Sequence, residues 1–165
     1  MSDAWLLFLA GAAAMFGGGL RIATSFLPWD PSDPLMELIA LKVDLLALFG
    51  LMGIWLSQRA RLGWPGFVAF VVAESGIASI VGPDTTAFGI DTYQAGVAVI
   101  AVGLALLGGL MVINGHLLNR FAGICWIGSL ATGLAGSAFG MPVEGFAAGG
   151  VLYGAGFVLG GLGLV

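Results

Sequence analysis

Polar residues gather in short clusters along this chain, and long apolar runs fill the spaces between them. A helix that crosses a bilayer needs about 20 mainly apolar residues. The runs give six segments of about that size, at 4–27, 35–56, 64–81, 94–114, 120–139 and 143–165. The first ends at Pro28, and Trp29-Asp30-Pro31-Ser32-Asp33-Pro34 leads into the second. Gly82-Pro83 stops the third. The pattern predicts an all-α, polytopic membrane helical bundle of six transmembrane helices, forming one domain over 1–165. Glycine in the fifth and sixth segments leaves room for a shorter or broken span there.

The clusters also set an expected orientation. Arg59 and Arg61 lie between the second and third segments, and Arg120 lies beside His116 between the fourth and fifth. The alternate connections hold Asp30, Asp33, Asp84, Asp91 and Glu144, with no Lys or Arg. Basic residues stay on the cytoplasmic side, so both termini are expected inside. Trp5, Trp55 and Trp64 then fall at the inner interface and Trp29 at the outer one, where aromatic belts form.

Composition agrees. Of 165 residues 59% are hydrophobic and 8% charged, with a mean hydropathy of +1.08. Soluble domains carry about 25% charged residues. The net charge is −4 and no basic stripe is present, so no nucleic-acid partner is expected. One Cys and one His exclude a Cys/His zinc site within the chain, and neither metal nor cofactor is expected. No Lys or Arg precedes the first apolar run, so it reads as a retained helix rather than a secretory signal. The expected location is the bacterial inner (plasma) membrane, as a multi-pass protein surrounded by lipid.

Glycine is frequent, at 29 residues. Gly145 to Gly149 and Gly156 to Gly160 fit the small-xxx-small pattern that lets helix backbones approach closely. That pattern serves packing within the bundle, or self-association and partner helices.

The chemistry lies where charges interrupt the apolar runs. Arg21, Glu37, Lys42, Asp44 and Glu74 come from the first three segments. A charge in hydrocarbon costs about 2.5–3.5 kcal/mol on insertion scales, so these residues need compensation. At 1.5 Å rise per residue, Arg21 lies roughly 9 Å, Asp44 roughly 14 Å and Glu74 roughly 11 Å from the outer end of their helices. Glu37 and Asp44 are seven apart and share one line on the second helix, while Lys42 points away from it. Arg21 shares a face with Gly17, Gly18, Thr24 and Ser25, and is expected to pair with Asp44 or Glu74. The remaining carboxyl is a candidate proton donor or acceptor.

Arg21, Asp44 and Glu74 are therefore the candidate catalytic residues. Glu37, Lys42, Trp29, Ser25 and Tyr93 are candidates for substrate binding. The favoured expectation is an acid–base enzyme, an isomerase, cyclase or epoxide-opening hydrolase, acting on a lipophilic small molecule. A proton-coupled transporter or substrate-binding subunit of an uptake system is the second. The apolar inner half counts against a complete transport path. A structural subunit of a membrane complex, with the charges as helix glue, is the third.

Overall fold

A computed structural model describes residues 3–27, 33–81, 86, 87 and 89–165. Among the described residues the chain forms five helices and one two-stranded hairpin. The helices are α1 (Asp3–Thr24), α2 (Pro34–Ile80), α3 (Thr92–Asn114), α4 (Leu117–Ala138) and α5 (Pro142–Leu162). The strands β1 (Thr86–Ala87) and β2 (Ile90–Asp91) pair antiparallel, Thr86 opposite Asp91. All five helices are long and apolar enough to cross a membrane.

α2 does not run straight. Gly63 breaks it with φ 57° and ψ −153°, a conformation that only glycine adopts readily. Pro65 follows, early in the new helical arm, where its missing N–H costs least. The arms 34–62 and 64–80 fold back on each other. Trp55 and Phe70 would be roughly 22 Å apart along one straight helix, yet their rings stack with centroids 4.8 Å apart. Phe67 joins them at 5.5 Å.

This corrects the expected loop at 57–63. Gln58-Arg59-Ala60-Arg61-Leu62 continues the helix, and the reversal is concentrated at Gly63. Gln, Arg, Ala and Leu are strong helix formers, so their polarity marks a helix end facing a wetter region rather than a loop. α4 likewise starts at Leu117, which puts Asn119 and Arg120 on the helix. The glycine-rich α4 and α5 are unbroken.

Caps fix the other ends. Asp33 accepts from the Leu35 N–H at 2.9 Å with Pro34 next in line, and Asp91 accepts from the Gln94 N–H at 3.0 Å. α4 closes with Gly140 at φ 72° and the Met141 N–H donating to Gly136 O at 2.8 Å, a Schellman arrangement.

The rods form a closed up-and-down ring. α1 lies antiparallel to the first arm of α2, with Ala14 beside Gly50 and Ala10 beside Gly53. The second arm lies antiparallel to α3, with Ala73 beside Gly103 and Gly76 beside Ile100. α3 then packs on α4, α4 on α5, and α5 on α1. Bare backbone makes the tightest of these contacts. A Cβ on Gly108 would come within 2.7 Å of Gly123 O, and one on Gly123 would overlap Gly108 O. The small-xxx-small glycines are spent in the same way, Gly145 against Gly136 and Gly156 against Trp126.

Leu51, Ile54, Leu104, Leu107, Met111, Trp126 and Phe157 fill the centre. Phe16, Phe49, Ile113, Leu134 and Phe139 project outward. Small residues between helices and large apolar ones outside are compatible with a hydrocarbon surrounding.

Candidate functional site

One end of the bundle carries the β1–β2 hairpin, the end of α1 and the start of α2; the other carries Gly63. The site lies towards the hairpin end. Arg21 stands in the last turn of α1. The hydroxyls of Thr24 and Ser25 both donate to its carbonyl oxygen, at 3.0 and 2.9 Å, and so close the helix end. The guanidinium reaches across to α5. It lies over Gly150, where a Cβ would sit 2.8 Å from a guanidinium nitrogen and 2.5 Å from Ser25 Oγ. Its carbon is 5.0 Å from the centre of the Phe146 ring, a cation–π contact. Gly150 is thus a gap that a side chain on α5 would otherwise fill, and the arginine occupies it.

Asp44 comes from the first arm of α2, half-buried, and feels the charge of Arg21. Glu74 comes from the second arm, also half-buried, and its Oε2 is buried with no hydrogen-bond partner. Tyr153 of α5 lies within electrostatic range of Asp44, Arg21, Tyr93 and Glu74. It stands three residues after Gly150, on the same face of α5, and its ring packs on Phe157 with centroids 4.9 Å apart. Five rods, α1, both arms of α2, α3 and α5, therefore each carry a polar residue towards this end. Their chemistry is that of two carboxyls, a permanent cation and two phenols inside an apolar bundle.

The site residues expected from sequence separate clearly. Arg21, Asp44, Glu74, Ser25 and Tyr93 belong to this region. Glu37 and Lys42 are exposed on the outer face of α2, and the structure does not bring them to the cluster. Trp29 lies outside the described residues. Tyr153 was missed. Its signal was depth: it is eleven residues from Pro142, roughly 16 Å along α5, far from the interface where tyrosine is usual in such a sequence. Among the described residues no group of three or more His, Cys, Asp and Glu could hold a metal ion.

The Gly63 end is not apolar, contrary to expectation. Gln58 is 2% exposed and Asn119 is 4% exposed. Asn119 falls between the segments expected at 94–114 and 120–139, but α4 begins two residues before it and turns it inward. Trp55 stacks its ring against Phe70, and its Nε1 is buried with no hydrogen-bond partner.

Comparison of the chain with protein-family models, with curated proteins and with solved structures finds no match in any of the three.

Proposed function

We propose that this chain is a six-span integral membrane protein with both termini on the cytoplasmic side, and that the Arg21, Asp44, Glu74 and Tyr153 group is an acid–base site in the outer half of the bilayer. Its substrate is a lipophilic small molecule. Isomerisation, cyclisation and epoxide opening fit, because each needs a proton delivered and a proton removed.

Six spans are supported by the ring. Each rod is antiparallel to its neighbours, Trp55 packs back onto Phe70, and α5 returns antiparallel to α1 with Gly154 beside Gly18. An up-and-down ring closes in this way only with an even number of rods. Arg59, Arg61, His116 and Arg120 all fall at the Gly63 end, which supports placing that end in the cytoplasm.

The placement of Arg21, Asp44 and Glu74 towards the same end of three neighbouring rods, with Glu74 Oε2 buried and unbonded, carries the reading of the site. Ionisable groups inside a membrane bundle are functional by default. Glu74, with an unbonded oxygen, is the carboxyl available to deliver a proton. Arg21 does not form the expected ion pair with Asp44 or Glu74, its guanidinium lying instead against Gly150 and Phe146. Asp44, within the field of that cation, takes a proton back, and the guanidinium steadies charge that develops nearby. Tyr153 orients the polar end of the substrate.

The test is solvent isotope incorporation. The detergent-solubilised protein is incubated with a membrane lipid extract in deuterated buffer, and products are followed by mass spectrometry. One compound is expected to gain deuterium or change structure with the parent protein and not with Glu74→Gln or Asp44→Asn. An extract unchanged by the parent counts against an enzyme.

The buried amides at the Gly63 end favour one alternative, a transporter or substrate-binding subunit, because polar groups then lie on both sides of the apolar centre. That reading requires uptake into liposomes that a proton gradient alters.

A further inference from the structure

The bundle is filled at its centre and open towards the hairpin end. On α5, Phe157, Tyr153 and Phe146 share one face, at helical spacing. Phe157 is 0% exposed, Tyr153 keeps part of its surface, and Phe146 is 47% exposed. α4 shows the same gradient. Trp126 is 1% exposed in the core. Gly133 lies two turns on, on the same face, and a Cβ there would meet no neighbouring atom within 4 Å. Faces that are sealed in the middle of the bundle are therefore free nearer the hairpin.

Arg21 stands at this opening. Its guanidinium leans onto α5 over Gly150 and Phe146, roughly 6–12 Å along that helix from Pro142, and Tyr153 is one turn deeper. α1 packs on both α2 and α5, and the side chain takes the α5 side, away from Asp44 and Glu74. Among the described residues it rests on no carboxylate, and it keeps part of its surface accessible. The Thr24 and Ser25 hydroxyls spend their protons on the Arg21 carbonyl, so the guanidinium N–H groups are the charged donors at the mouth. Arginine stays charged, and a cation beside hydrocarbon is costly without an anion.

We infer that the ligand of this site is an amphipathic anion. Its carboxylate or phosphate is held by the Arg21 fork at the mouth, and its apolar part runs along the open face of α5, past Phe146 to Tyr153. This rests on the acid–base reading of the group and narrows its lipophilic substrate to one with an acid head. The planar fork offers two parallel N–H bonds to one carboxylate or phosphate. A neutral head would leave the cation uncompensated, and a cationic head would be repelled. Phe146 gives a ring face to the guanidinium and has exposed surface left for a hydrocarbon chain.

Nitrogen-15 labelling of arginine in the whole protein, in a neutral maltoside detergent, gives Nε–H signals from Arg21, Arg59, Arg61 and Arg120. The last three are exposed at the opposite end and serve as references. Arg21→Lys assigns the Arg21 signal by its loss. Dodecanoate and dodecyl phosphate are titrated separately, with dodecanol, acetate and inorganic phosphate as controls. The Arg21 signal is expected to shift saturably with a dodecyl anion and not with dodecanol. Half-saturation should come at least about ten-fold lower than with acetate or inorganic phosphate, since each buried methylene adds affinity. The tighter of the two dodecyl anions tells a carboxylic acid from a phosphate ester. A shift no larger than those of Arg59, Arg61 and Arg120 marks charge gathered on the micelle and overturns the site. So does an equal response to dodecanol. Turnover does not enter this assay. Saturable binding with no product in the isotope assay removes the enzyme and keeps the anion site. Turnover of a neutral compound with no Arg21 shift removes the anion site and keeps the enzyme.

Discussion

Arg21 is held by a missing side chain as much as by a present one. Gly150 leaves the lane in which the guanidinium lies, and Phe146 supplies a ring beneath it. Gly150→Val is therefore expected to push the arginine off α5 and to destabilise the protein by about 1–3 kcal/mol, as overpacking does; thermal unfolding measures it. Tyr153→Phe keeps the ring contact with Phe157 and removes only the hydroxyl. Its expected effect is a large loss of turnover in the isotope assay with little change in the unfolding midpoint, and an unchanged turnover would remove Tyr153 from the site. Arg21, Asp44 and Glu74 were legible in the sequence because a charge in an apolar run has no ordinary explanation. Tyr153, Gln58 and Asn119 were not, because tyrosine and carboxamides tolerate an interface. Their burial depends on which helices meet, which no single segment records.

At the scale of elements, apolar runs located every helix but made two connections too long, at 57–63 and before α4. A run ends where hydrocarbon ends, whereas a helix ends where its hydrogen bonds stop. The segment 57–62 shows the difference, polar yet helical up to Gly63. The whole reversal of α2 rests on that one residue. Gly63→Ala is expected to cost about 1–3 kcal/mol, the usual strain of a side chain in such a backbone region, read as a lower unfolding midpoint. Equal stability would mean that the reversal does not need glycine. Gly108 and Gly123 make the corresponding demand between α3 and α4. Either residue changed to Val should separate the two helices and cost more than Gly63→Ala, because the atoms it meets are backbone and cannot move aside.

For the whole molecule, the antiparallel closure of α5 on α1 and the placement of the basic residues argue for an even number of crossings. With Cys125 replaced by alanine, single cysteines at Arg59, Leu117, Gln94 and Phe139 test this, since each parent residue is exposed. Cysteines at 59 and 117 should react with an impermeant thiol reagent only from the cytoplasmic side, and those at 94 and 139 only from the outside. Any other division contradicts the proposed topology. The same topology puts the Arg21, Asp44 and Glu74 group and the buried amides at opposite ends, with Leu51, Ile54, Leu104, Leu107 and Phe157 between them. The apolar centre is thus a partition between two polar regions of different chemistry.

The central claim is that the charged group is there for chemistry rather than to hold helices together. Thermal unfolding in mild detergent of Arg21→Ala, Asp44→Asn and Glu74→Gln tests it most directly. Removing one member of a purely structural buried ion pair costs about 3–5 kcal/mol, because the other charge is left uncompensated. Functional carboxyls crowded into an apolar site behave otherwise, and neutralising one is neutral or stabilising. The expected result is that Asp44→Asn or Glu74→Gln matches or exceeds the parent. A collapse of all three variants would make the cluster architectural and the protein a structural subunit.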